Sequence, residues 1–484
     1  MLRTIREFRD DQRGIAMILV TIMLPVLIGF ALLVIDMSRA NSLHNDLQKG
    51  ADAFALAGAA ELDGRVDALT RANRAILNLV QNTYRFSTQN TQQTLTATNT
   101  DTSSITWRYL SGIPANDSDP ILDASVTTDP AAARFVQVTV KPVGFATIFP
   151  ASFLTGSNAS NGMSIGSTAV AGNAGTTVCS MVPVFICNPF PGQDLNQIAN
   201  SASLLKKSLK LVVGGSSWGP GNFGFLRPSD GHGYGESDLA NDVAIGQVPE
   251  CVNTRLIYTQ TGNLTTKVTN AFNTRFDLFP NGANSFPSKN DSRWPPAPNV
   301  RKGYKTTGGC NSTLQTDTTK FRGLTPDLQF NGQIGNGLWD YNGYVSANNL
   351  AAGLAGFKDA NNNAYSNTNP PSRYDLYKYE NDPSHNLVGT ASKGGETGTP
   401  SCASTTGSAS RRLFQAAIVD CSSQAVLNQL NGQSGAVPAM GFASLFLTQP
   451  IDSGAVMAEI VDINGTLGRG TLSSVVRTEV QLYR

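Results

Sequence analysis

Apolar residues run without a charged interruption from Gly14 to Ile35. They then thin into a stripe in which Leu43, Leu47, Ala51, Phe54, Gly58 and Leu62 recur three or four apart, with Asn41, Asn45, Gln48, Lys49 and Asp52 between them. The two patterns predict one helix in two solvents. A 22-residue run, rising about 1.5 Å per residue, covers the roughly 30 Å of hydrocarbon in a bilayer. A stripe of period 3.6 covers one flank of a globular core. Three fates are open to the run: a cleaved leader, a buried helix of a water-soluble fold, or a retained anchor. A leader carries about 7–15 apolar residues followed by small residues at a cleavage site, and neither is evident here. A proline in mid-helix costs a water-soluble helix roughly 3 kcal/mol, but neighbours, side chains and water satisfy the freed carbonyl in a membrane. The run is therefore read as a transmembrane anchor, with Gly14, Pro25 and Ile35 as its start, middle and end.

Leu43, Leu47, Ala51, Phe54 and Gly58 form a candidate face for a partner helix, because the small residues of "GADAFALAGAA" permit close approach. Packing on the protein's own sheet is the open alternative. Asp63-Gly64 predicts a stop, and Val66, Leu69, Ile76, Leu77 and Val80 predict a second helix. Strand signals follow in "LTATNT", "SSITWRYL" and "GSTAVAG", and in "RFVQVTVKPV", where Val136, Val138 and Val140 alternate with Gln137, Thr139 and Lys141.

From Thr176 onward, short apolar runs such as "MVPVFIC", "LKLVVGG", "RLFQAAIVDC", "SLFLTQP" and "VMAEIVDI" are separated by Gly, Pro and Asn. That spacing predicts a mostly β region with long loops, most irregular between Asn281 and Ser410. The predicted fold class is α+β: an N-terminal transmembrane helix continues into a long amphipathic helix packed on a small antiparallel sheet, followed by a larger, mostly-β, loop-rich exported domain. The boundaries are a cytoplasmic tail at 1–13, the transmembrane helix at 14–35, the helix with its small sheet at 36–175, and a β-rich periplasmic domain at 176–484.

The flanks orient the span. Arg3, Arg6, Arg9 and Arg13 precede it, whereas Asp36, Arg39 and Lys49 follow more sparsely, so the positive-inside bias leaves the N-terminus cytoplasmic and exports the rest. All six cysteines, Cys179, Cys187, Cys251, Cys310, Cys402 and Cys421, lie in the exported part, with no Cys-x-x-Cys pair. An even count in an oxidising compartment predicts disulfides. Nearness in sequence suggests Cys179 with Cys187, Cys251 with Cys310 and Cys402 with Cys421. Charged residues are 15% of the chain against a usual value of about 25%. A net charge of +1 points away from a nucleic-acid partner.

The segment "RGIAMILVTIMLPVLIGFALLVIDMSRANSLHNDLQKGADAFALAGAAEL" resembles the N-terminal segment of the TadE/TadG-like proteins of the Tad (Flp) pilus assembly system. The shared features are Arg13-Gly14, Pro25, Asp36 with Arg39, Leu47-Gln48, Ala51-Asp52-Ala53 and Ala55-Leu56-Ala57. The resemblance implies a bacterial inner-membrane protein with a pilin-like helix, a role in pilus biogenesis or adherence, and other Tad assembly proteins as partners beside the lipid bilayer. Two departures limit what carries over. Leu19 stands where prepilin-like members have glutamate, so no processing is expected. Asp123-Ala-Ser125-Val-Thr127 is only the nearest approach to the cation-binding Asp-x-Ser-x-Ser motif of other members, and it is read as a loop or strand edge.

Other chemistry is weaker. Gly215-Ser216-Ser217-Trp218-Gly219 fits Gly-x-Ser-x-Gly after an apolar run, but Pro220-Gly221 follows where a nucleophile elbow needs a helix, and only His232 and His385 are available later as a base. Asp359, Asn361 and Asn363 have calcium-loop spacing, with Ala364 and Pro370 where glycine and glutamate belong. Tyr374, Tyr377 and Tyr379 suggest a strand with one aromatic face. The reading is thus a membrane-anchored structural or assembly component with no catalytic, cofactor or metal residue. An anchored adhesin or ligand-binding module is the alternative, and an envelope hydrolase around Ser217 a remote one.

Overall fold

The structure is a computed structural model. It describes residues 13–483 apart from 64–66, 80–81, 89–90, 99, 101–102, 115, 117, 131, 150–161, 194, 200, 216, 230–233, 249, 261, 283–284, 307–309, 311, 431–434, 453 and 464–469. Arg3, Arg6, Arg9 and His232, invoked above for orientation and as a base, lie outside the described residues. The chain divides into two compact units, Met1–Gly175 with Thr478–Arg484, and Thr176–Arg477. Residues 478–484 thus rejoin the first unit, where the sequence pattern places them in the β-rich region.

In the first unit a helix, α1 (Arg13–Ala59), contains the apolar run and the stripe as far as Gly58 without a break, and Leu62 follows its end. A second helix, α2 (Ala68–Leu77), a hairpin of β1 (Asn82–Tyr84) and β2 (Gln93–Leu95), and the strands β3 (Ile105–Leu110), β4 (Phe135–Ala146) and β5 (Gly162–Val178) follow. β4 pairs antiparallel with β3 on one side and with β5 on the other. The alternation on β4 has a direct consequence: Val136, Val138 and Val140, with Ala169 and Ala171 of β5, face Leu43, Leu47, Ala51, Phe54 and Ala55 of α1 in one buried cluster. The stripe assigned to a partner helix is therefore covered by the molecule's own sheet.

The small residues serve the same end. A Cβ on Gly58 would stand 2.8 Å from Ile76 of α2, so the helix admitted by "GADAFALAGAA" is the chain's own α2.

The second unit is built on a ten-stranded mixed sheet. Its longer strands are β6 (Val184–Cys187), β7 (Ser208–Val213), β8 (Asn222–Leu226), β9 (Ile257–Gln260), β10 (Leu413–Val419), β11 (Gly441–Leu447) and β12 (Ala455–Ile463). They run in the order β7-β12-β11-β10-β6-β8-β9, with short strands at both edges. β13 (Val476–Leu482) belongs instead to the sheet of β3, β4 and β5. The near-continuous apolar runs of β10 and β11 are those of strands covered on both faces. Phe414, Ala416 and Ile418 pack with the helices α3 (Leu195–Ala199), α4 (Ala202–Leu205), α5 (Glu236–Ile245) and α6 (Thr266–Asn273). Ala417 and Val419 face the other way, toward α9 (Gln424–Leu430), and Phe446 and Val461 meet α7 (Tyr341–Ala347) and α8 (Arg373–Asn381).

Residues 281–410 are loop-rich yet packed. Trp339, Tyr344, Leu354, Tyr377 and Leu387 share one buried cluster. Tyr374, Tyr377 and Tyr379 lie on α8, a helix where the sequence pattern suggests a strand. Ser372 caps it, its hydroxyl accepting from the Asp375 N–H at 3.3 Å, and Asp375 complements the positive end of the helix.

Charge is buried beside these aromatics. The Arg373 guanidinium donates to Asp327 at 2.6 Å and to Glu459 at 3.1 Å, with all three side chains sealed from solvent. Glu459 also accepts from the Ser372 hydroxyl at 2.5 Å and from the N–H groups of Arg373 and Tyr374. Arg412 donates to the carbonyls of Leu447 and Thr448 and lies over the rings of Phe276, Tyr377 and Phe446. Glu380 accepts from Asn299 at 2.6 Å and from the Tyr344 hydroxyl at 2.8 Å. Burial pushes its carboxyl above the usual carboxylate value, and nearby Arg301 opposes the shift.

Three disulfides are present, Cys179–Cys251, Cys187–Cys421 and Cys310–Cys402. None matches the nearest-neighbour pairing. Cys187 ends β6 and Cys421 follows β10, which pair in parallel with Val419 opposite Cys187, so register brings together sulfurs 234 residues apart.

Candidate functional site: the apolar helix and its exit

From Met17 to Ile28 α1 is exposed on every side. Met17, Ile18, Leu19 and Val20 occupy four successive directions around the axis and are 76%, 63%, 58% and 59% exposed. Further along, Phe30, Leu33 and Val34 stay exposed, while Gly29, which Phe149 approaches, and Leu32 are half-buried. A helix that is apolar on all sides belongs in a core or a bilayer, and no core is built here. Its polar groups are few. The Thr21 hydroxyl donates to the Met17 carbonyl at 2.6 Å, which satisfies it within the helix, one turn before the bond that Pro25 cannot make. Gly14 and Pro25 lie within α1, and Ile35 is exposed.

One residue on, the environment inverts. Asp36 is 4% exposed between the bare Ile35 and Met37. One of its carboxylate oxygens accepts from the N–H groups of Ile148 and Phe149, each at 2.7 Å, and the other from Arg39 Nη1 at 3.2 Å. The Arg39 guanidinium also lies 5.7 Å from the Phe86 ring and 5.2 Å from that of Phe145. Asp36 and Arg39 thus fasten the chain leaving β4 to the helix at the end of the apolar run. In the sequence this pair stands out only through the resemblance, because Ile148 and Phe149, which Asp36 holds, lie more than a hundred residues away.

The remaining candidates are placed as follows. Ser217 is exposed in a loop. The next element is the strand β8, so no nucleophile elbow forms. His385 stacks on Tyr379 with centroids 3.6 Å apart, and its Nδ1 lies 3.0 Å from the Tyr379 carbonyl. Asp123 sits in a 3-10 turn and accepts from Arg108 at 2.6 Å. Asp359 accepts from the N–H groups of Asn361 and Asn363, an Asx turn whose hydrogen bonds, the Asn363 N–H first, hold its carboxyl below the usual range. Among the described residues no three His, Cys, Asp or Glu side chains gather to hold a metal ion.

A cleft of about 270 Å³ in the second unit is lined by Arg227, Ser229, Tyr234, Glu250 and Tyr258 among apolar residues. Glu250 accepts from Ser229 Oγ at 2.9 Å, Tyr234 donates to Asp242 at 2.6 Å, and the Arg227 guanidinium lies 6.0 Å from the Tyr258 ring centroid with its Nε unpaired among the described residues.

Residues 14–61 match a family model described as "Putative Flp pilus-assembly TadE/G-like". The matched stretch contains the bare helix, the Asp36–Arg39 exit and the covered stripe. No curated protein and no solved structure matches the chain. The family match and the apolar helix suggest an association with pilus assembly, in a structural role, and are consistent with membrane anchoring.

Proposed function

We propose that the protein is a single-pass component of a Tad-type pilus or adherence apparatus in the bacterial inner membrane. Its N-terminus lies in the cytoplasm, and its two units lie in the periplasm. The observation that carries this reading is the coincidence of the 14–61 family match with a helix exposed on every side from Met17 to Ile28. Six cysteines joined in three disulfides support an oxidising compartment, and Arg13 at the start of the run supports the orientation.

Recruitment of other assembly proteins falls to the segment Met17–Ile35, because the stripe at Leu43, Leu47, Ala51, Phe54 and Gly58 is occupied within the first unit. In this reading the protein performs no catalysis. Replacing residues 14–35 of the full chain by an unrelated apolar span of equal length separates anchoring from recruitment. Membrane residence is expected to persist while pilus-assembly membrane proteins cease to co-purify. Undiminished co-purification would move recruitment to the exported units, as the adhesin or ligand-binding alternative requires. Ser217→Ala is expected to leave pilus formation and adherence unchanged, whereas loss of a hydrolytic activity would revive the enzyme reading.

A further inference from the structure

The chain that leaves β4 does not stop at the level of the helix exit. Phe149 reaches back along α1, and its ring edge stands 3.5 Å from the position that a Cβ on Gly29 would take. Gly29 precedes Ile35 by six residues, so the ring touches the helix about 9 Å inside the end of the apolar run. Ile148, its neighbour, is 51% exposed, and Met163, paired with Phe145 where β5 begins, is 56% exposed. Phe86 projects beneath Arg39 in the same collar. The two hydrogen bonds from the N–H groups of Ile148 and Phe149 to Asp36 fix this depth.

A single exposed isoleucine on a soluble surface is ordinary. These residues, however, are held against a segment whose only fitting solvent is hydrocarbon, and aromatic and cationic side chains gathered at its end are the composition of a membrane interface. We propose that the turn after β4, through Ile148 and Phe149, enters the acyl region of the periplasmic leaflet beside the helix. It forms a second membrane contact, with Asp36 as its fastening. The partner is the lipid itself. A depth of about 9 Å matches the 5–10 Å reached by interfacial elements. The inference rests on residues 14–35 spanning the bilayer.

The test uses the full chain in phosphatidylcholine vesicles with brominated acyl chains, which quench tryptophans lying among them. Three single variants are compared after subtraction of the wild-type emission: Leu27→Trp in the apolar run, Ile148→Trp at the turn and Leu122→Trp in an exposed loop. All three positions are open to solvent in the protein, so each accepts the larger ring. The tryptophans at 27 and 148 are expected to lose about half of their emission relative to unbrominated vesicles, and the one at 122 to lose none. Quenching at 27 with a tryptophan at 148 as bright as that at 122 overturns the leaflet contact and leaves the anchor standing. No quenching at 27 overturns the anchor, and the leaflet contact with it.

Discussion

The two units reach stability by opposite routes. The first lays its helices on one sheet, with aliphatic side chains between them and its charges, the buried Asp36 apart, at the margins. The second buries Arg275, Arg301, Arg373 and Arg412 almost completely and ties its long loops to its sheet with hydrogen bonds and disulfides. The difference is one of chain economy. A long regular helix and strand satisfy their own backbone groups, whereas loops covering a sheet leave carbonyls and N–H groups that side chains must reach. The buried arginines answer that need: Arg412 donates to carbonyls of residues 447 and 448, and Arg301 to that of Thr390 at 2.9 Å.

If that contrast is right, the severest single change lies in the second unit. Arg373→Met leaves Asp327 and Glu459 facing each other in a dry interior and is expected to destabilise that unit by about 3–5 kcal/mol. Denaturant unfolding followed through Trp339, whose ring lies 5.0 Å from the guanidinium, reads this directly. Next is the double variant Cys187→Ala with Cys421→Ala, expected to cost about 3 kcal/mol in the same measurement.

Within α1 itself, Leu47→Ala is expected to cost about 2–4 kcal/mol through the cavity left in the cluster that the helix shares with β4 and β5. Leu27→Ala is expected to leave thermal unfolding of the detergent-solubilised chain within about 0.5 kcal/mol. Equal effects at the two positions would erase the distinction between the covered and bare halves of the helix.

The smallest effect concerns pH. Because burial raises the Glu380 carboxyl above its ordinary value of 4.5, the native state binds a proton that the unfolded state releases between the two values. The stability associated with that proton is full below 4.5 and is lost as pH rises through the native value. Glu380→Gln is expected to remove one proton's worth of that downward slope. Unfolding midpoints collected from acid to neutral pH check it, and an unchanged slope would mean that Glu380 folds already ionised.

Legibility followed the same division. Period and length were enough to read the bare run, the stripe and the alternation at Val136, Val138 and Val140, since each depends on neighbours within a few residues. The stripe's partner was not legible, because a sheet and a second helix ask for the same spacing. Cysteine pairing failed for a related reason: the parallel register of β6 and β10 decides it, and nearness in sequence carries no information about that register. Tyr374, Tyr377 and Tyr379 were misread as a strand face although the first two stand three apart, a helical spacing, and the Ser372 cap starts the helix. At the candidate site the apolar run was visible from its residues alone, but the binding of Asp36 to Ile148 and Phe149 needed the fold.

β13 joins the sheet begun near the other end of the chain: the Tyr483 N–H donates to the Val170 carbonyl at 2.8 Å, and its ring meets Phe135 edge-on. A chain that lacks β13 would hold the three strands β3, β4 and β5 with Val170 of β5 short of its Tyr483 partner, an open edge for unwanted strand addition. Pairing of that border waits on β13, which is translated after nearly the whole of the second unit.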